Sequence, residues 1–133
     1  MFIGVSLIPV IVAALVAMIF GALWYSPVLM GTLWMKEAGI KDFDMKKQRK
    51  SLAAQGLTTI VIAFVLSYLL KQYNVTTTDA GIELTFLFWL GFIATSQAMR
   101  VIFEKASFSL YAVTVSYQLI SLMLMTIVIT SWK

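Results

Sequence analysis

Ile3–Tyr25 reads IGVSLIPVIVAALVAMIFGALWY, a run without one charged side chain. A helix of ~20 apolar residues spans the ~30 Å hydrocarbon core of a bilayer, and this run exceeds that length. A cleaved signal sequence fits it poorly. Signal h-regions are ~7–15 residues long and follow a cationic segment, whereas the first Lys or Arg here is Lys36. The run is therefore expected to be a retained membrane span.

Working outward, the same absence of charge recurs over 51–70, 84–99 and 106–132. The third window is short. It reaches spanning length when Ile82 and Val101–Phe103 are included, which puts Glu83 and Arg100 near its two ends, where long side chains reach the headgroups. Four spans follow, at about 3–25, 52–70, 82–103 and 110–131. Composition agrees. Of 133 residues 61% are hydrophobic and 12% charged, against ~45–50% and ~25% in soluble domains. So small a chain has too few polar residues to coat a soluble surface. The expected fold is all-α, a single integral membrane four-helix transmembrane bundle over 1–133.

Two absences narrow the chemistry. With no cysteine and no histidine, disulfides, thiolate nucleophiles, zinc–sulfur sites and Ser–His or Cys–His relays are excluded. The carboxylates lie at span edges rather than as a pair. No catalytic residue, metal or cofactor is expected, and the chain is read as not an enzyme. Eight methionines raise copper(I), but Met123 and Met125 stand about 200° apart around a helix, and gap-filling accounts for them better.

The cations set an orientation. Lys36, Lys41, Lys46, Lys47, Arg49 and Lys50 fall in the loop 26–51, and Arg100 and Lys105 flank the third loop; only Lys71 and Lys133 fall on the other side. By the positive-inside rule, the first and third loops are cytoplasmic and both termini lie outside, in a bacterial inner membrane or a plasma membrane. Lys46, Lys47, Arg49 and Lys50 read as anchors to anionic lipid headgroups, not to nucleic acid, because carboxylates at Asp42 and Asp44 interleave the run. Ser26-Pro27 ends the first helix. Val28–Met35 is then expected to lie along the interface, with Trp24, Tyr25 and Trp34 as its aromatic belt. The short second and third loops are expected to make antiparallel hairpins of their flanking spans.

The stretch Gly21-Ala22-Leu23-Trp24-Tyr25-Ser26-Pro27, followed by Leu29, Gly31 and Trp34-Met35, resembles the signature of domain of unknown function family 1761. Trp89-Leu90-Gly91-Phe92, Glu104-Lys105, Ser116–Leu122 and Trp132 are similar to its second half. The resemblance covers essentially the whole chain. It implies a small four-span membrane protein and implies no activity.

Membrane helices associate through small residues and hydrogen bonds, not hydrophobicity. Each span carries a stripe suited to this: Ala13, Ala17 and Gly21; Gln55, Thr59, Ala63 and Ser67; Gly91, Thr95 and Ala98-Met99; Thr114, Gln118, Ser121 and Met125. An intramembrane polar set stands out as a candidate binding site. Gln97, Arg100 and Glu104 share one face at the inner end of the third span, with Arg100 and Glu104 spaced to pair. Tyr117 and Gln118 sit near the middle of the fourth, where Gln118 is expected to bond Gln55, Thr59, Ser67 or Gln97. Arg100 is expected to reach the cytoplasmic rim. Two functions remain open. One is a non-catalytic protein acting as a homo-oligomer or as a small subunit beside a membrane-protein partner. The other is a small permease or channel built by oligomerisation, with a polar path along the second, third and fourth spans.

Overall fold

A computed structural model describes residues 6–24, 33, 36, 49–105 and 107–132. Among them the chain is helical throughout: α1 (Leu7–Trp24), α2 (Arg49–Gln72), α3 (Thr78–Phe88), a π-helical turn (Trp89–Ala94), α4 (Thr95–Phe103) and α5 (Phe108–Ser131). The third span is the continuous rod α3–π–α4. All four rods are long and apolar enough to cross a bilayer, so the protein is a four-helix membrane bundle. Tyr25, Trp34, Lys46, Lys47 and, but for Leu33, the interfacial segment expected at Val28–Met35 lie outside the described residues, as does nearly all of the basic loop. Arg49 and Lys50 form the first turn of α2.

The third span begins four residues before the expected Ile82. Thr77 caps it, its hydroxyl accepting the Ala80 amide at 3.3 Å, and Asp79 favours the positive end of the new helix. Ser107 caps α5 in the same way through the Leu110 amide. The turns between use Asn74 and Lys105 at φ 55° and 54°, the left-handed region that Asn tolerates well.

In space the order is α2–α1–α5–third span, with α5 also touching α2. The hairpin expected from the second loop is therefore looser than supposed. Beyond the aromatic contact of Tyr73 with Phe88, α2 and the third span pack mainly on other helices. Ser6 and Trp132 line one cavity, so both described ends lie at the same end of the bundle.

The core follows the small residues. Val10, Ala13, Ala14, Ala17 and Gly21 are buried along one face of α1, with Ala13 and Ala17 at 0% exposure. Ile8, Ile11, Leu15, Ile19 and Leu23 are exposed on the opposite face, which is the surface that lipid covers. On the buried face the Tyr117 ring stacks on Phe20 at 5.7 Å and lies directly over Gly21. Thr59, Ala63 and Ser67 of α2 are buried as well, leaving Gln55 exposed at the end of that stripe.

The third span and α5 run antiparallel along a seam of threonines. Thr78 meets Thr130 at 3.0 Å and Thr85 meets Thr126 at 2.7 Å. Each α5 hydroxyl already donates its single proton back along the helix, Thr126 to the Leu122 carbonyl and Thr130 to the Thr126 carbonyl. Thr85 and Thr78 are therefore the donors across the seam. Gly81 sits between the two rungs and brings the backbones close: a Cβ there would lie 2.9 Å from Thr126 Cγ2 and 3.0 Å from Thr130 Cγ2.

Candidate functional site

The third span differs from the others in two respects. The first is its π-helical turn at Trp89–Ala94. A π turn shifts hydrogen bonding from i+4 to i+5 and leaves carbonyls under-served; such turns recur at functional positions. Here hydroxyls serve them. Thr95 Oγ1 donates to the Gly91 carbonyl at 2.8 Å, and Ser96 Oγ reaches the carbonyls of Phe92 and Ile93. The Ala94 carbonyl accepts from the Tyr111 hydroxyl at 2.8 Å, while the Trp89 indole donates to the Val115 carbonyl at 3.0 Å. The wide turn is thus tied to α5 at both of its ends. In hydrocarbon each unserved carbonyl costs several kcal/mol, so these bonds let the turn exist at membrane depth.

The second difference is exposure. Only 6% of its most apolar stretch is buried, against 33%, 28% and 28% in the other three spans. The stripe Gly91, Thr95 and Ala98-Met99 was expected to pack within the bundle, or to line a polar path or an oligomer interface. Its Ala98 is half-buried and the rest faces outward: Gly91, Thr95 and Ser96 are exposed beside Leu87, Leu90, Met99 and Phe92, the last at 70%. A Cβ on Gly91 would find no atom within 4 Å. Spacing gave the face, but not the direction in which it points.

The intramembrane polar set divides in two. Gln97 and Arg100 line a recess of about 10 Å³ with Tyr111 and Thr114, room for about one water. Arg100 Nε donates to Glu104 Oε2 at 3.2 Å, with the side chains 57% and 66% exposed. This is the rim pair expected from the sequence, made through one nitrogen rather than a two-pronged fork. Exposed pairs contribute ~0–1 kcal/mol. Arg100→Lys is therefore expected to leave thermal unfolding in detergent unchanged within about 0.5 kcal/mol; a larger loss would mean that the guanidinium fork has a partner that Lys cannot replace.

Tyr117 and Gln118 do not join that pair. Tyr117 packs between α1 and α5, as described. The interhelical bond expected at Gln118 is not made by its carbonyl: Oε1 is buried and has no partner among the described residues. The Thr59 hydroxyl, one of its expected partners, donates instead to the Gln55 carbonyl of its own helix at 2.8 Å. Trp24, read as a lipid-interface residue, ends α1, and its indole N–H donates to the Val113 carbonyl of α5 at 3.2 Å.

The residues that hold the third span in place were not singled out beforehand: Thr78, Gly81, Thr85, Trp89, Tyr111, Thr126 and Thr130. A signal existed in part, since Thr126 and Thr130 share one face of α5 and Thr78 and Thr85 one face of α3 at helical spacing.

No curated protein and no solved structure matches the chain. The family model described as "Protein of unknown function (DUF1761)" matches residues 8–130, from the first turn of α1 to the last turn of α5. The described bundle, with Trp24, Trp89 and Gly91 at its helix contacts and on its free face, is that of a chain which belongs to the DUF1761 family.

Proposed function

We propose that this protein is a non-catalytic membrane protein that acts by association, with the outward face of the third span as its contact surface and a second copy of the chain as its partner. The observation that carries the reading is the direction of the Gly91–Thr95 stripe. The Ala13, Ala17 and Gly21 ridge of α1 and the Thr59, Ala63 and Ser67 stripe of α2 are buried inside the bundle, whereas Gly91 stands against open space. Small residues allow close helix approach in lipid. The same face carries both a hole, at Gly91, and a projecting ring, at Phe92, and a surface holding both halves of a contact suits a two-fold self-pairing.

The absence of cysteine makes the test direct. In membranes, Thr95→Cys is expected to form a disulfide-linked dimer under mild oxidation. Ile19→Cys, on the lipid face of α1, is expected to stay monomeric. Cross-linking of Thr95→Cys to a different protein would replace the second copy by a heteromeric partner; no cross-link from this face would reject the reading. A second reading, a permease formed by oligomerisation, is favoured by the polar ridge of Thr114, Gln118, Thr126 and Thr130 along α5, with the unpartnered Gln118 carbonyl midway. Solute flux into liposomes that is lost on Gln118→Leu would favour it.

A further inference from the structure

Among the described residues, Gln118 Oε1 is the one buried side-chain oxygen or nitrogen without a hydrogen-bond partner. It lies about midway along the 24-residue α5. A covered carbonyl that accepts nothing costs free energy, and the cost is greatest at membrane depth. The nearest candidates on other helices are committed elsewhere. The Thr59 hydroxyl donates to the Gln55 carbonyl, and the Thr85 hydroxyl to Thr126. A carbonyl oxygen calls for a guest that donates, which excludes an anion. The smallest such guest is water.

The same face of α5 shows the way in. Tyr111, Thr114 and Gln118 stand at i, i+3 and i+7, on one side of the helix. Tyr111 and Thr114 line the recess at the Arg100 end, with Gln97 and Arg100 beside them. That recess holds about one water and offers it amide, guanidinium and hydroxyl groups, the two to four polar partners that a buried water needs. Gln118 lies one turn deeper than Thr114, ~6 Å along the axis, a gap that about two hydrogen-bonded waters cover. Gln118 as a whole is half-buried, so open space reaches its side chain although its carbonyl is covered. One turn further the face changes character. Leu122 and Met125, at i+4 and i+7 from Gln118, belong to the apolar core with Val10, Ala17 and Leu66, and apolar interiors stay dry.

We propose that a water-filled inlet enters the bundle at the Arg100 end, follows the Tyr111–Thr114–Gln118 face of α5 and closes on Leu122 and Met125, with a bound water donating to Gln118 Oε1. It is an aqueous half-path: it brings water to the middle of the bundle and carries no solute across it. It is built within one copy of the chain and rests on neither reading given above.

The chain has no cysteine, so single thiols introduced into the full protein in liposomes test this, with a charged, membrane-impermeant methanethiosulfonate as the probe. A thiol in contact with water ionises and reacts, whereas one in apolar surroundings is inert. Thr114→Cys and Gln118→Cys are expected to be modified at rates within about tenfold of each other, and Leu122→Cys and Met125→Cys about a hundredfold more slowly or not at all. Leu122→Cys controls for truncation, since it too replaces a long side chain by a short one. Ile19→Cys, on the lipid face of α1, should be as slow. Thr114→Phe added to Gln118→Cys narrows the inlet at its mouth and should slow modification by about tenfold or more. A Gln118→Cys thiol as inert as Leu122→Cys, or one that reacts equally fast with and without Thr114→Phe, would overturn the inlet. A Met125→Cys thiol as reactive as Gln118→Cys would overturn its closed end. None of these outcomes alters what cross-linking at Thr95→Cys reports about association.

Discussion

Gly81→Ala is expected to be among the most damaging single-methyl changes in this protein, lowering unfolding stability in detergent by about 1–3 kcal/mol. The added Cβ would stand 2.9 Å from Thr126 Cγ2 and 3.0 Å from Thr130 Cγ2. Neither methyl can swing aside. Each belongs to a β-branched side chain with few χ1 choices, and each of those χ1 angles is fixed by two hydrogen bonds of its hydroxyl. The third span must therefore back away from α5, which stretches the Thr78–Thr130 and Thr85–Thr126 rungs together. The rescue is specific. Thr126→Ser removes the obstructing methyl and keeps the oxygen that accepts from Thr85, so Gly81→Ala with Thr126→Ser should recover part of the loss. A double variant as unstable as the sum of the two single changes would show that the close approach at Gly81 is not what limits the seam.

Gly21→Leu should cost more than Gly21→Ala, and both should act inside one copy of the chain. The nearest atoms to a Cβ at Gly21 are Tyr117 Oη at 2.9 Å and Cε1 at 3.2 Å. The ring is held from behind by Phe20, stacked at 5.7 Å, so it moves only with loss of that contact and with strain on the neighbouring Trp24–Val113 bond. Alanine should cost about 1–3 kcal/mol, and Tyr117→Phe, which deletes the closest atom, should offset part of that cost. Leucine should separate α1 from α5 and melt the bundle well below the wild-type temperature. An unchanged melting temperature for Gly21→Leu would contradict the α1–α5 contact as described.

The four spans were legible because charge is so costly in hydrocarbon that its absence marks them. The Ala13–Ala17–Gly21 ridge was legible for a related reason: three small residues at four-residue spacing make one flat face, and a bundle has an obvious use for it. The limits of the reading are just as physical. Spacing places Gly91, Thr95 and Met99 on one face but carries no information on which way that face turns. That is settled by the other side of the span, where Thr85, Trp89 and Ala94 engage α5. The threonine seam was missed because a hydroxyl at i+4 spacing looks the same whether it bonds only its own helix, as Thr59 does, or also meets a second helix, as Thr126 does. The π turn gives one retrospective sign: hydroxyl residues at Thr95 and Ser96 fall one turn after Gly91, where they serve the carbonyls that the wider turn releases.

The central claim, that the outward face of the third span is a contact surface, is tested most directly by energy transfer between separately labelled copies in liposomes over a range of protein-to-lipid ratios. Gly91→Leu is the informative variant, because a Cβ at Gly91 meets no atom within 4 Å and the substitution is expected to leave the fold unstrained. The expectation is saturable transfer for the wild type that persists on dilution into lipid, and transfer reduced to the random-encounter level for Gly91→Leu at an unchanged melting temperature. Wild-type transfer that falls in proportion to dilution, or equal transfer by the wild type and Gly91→Leu, would contradict it.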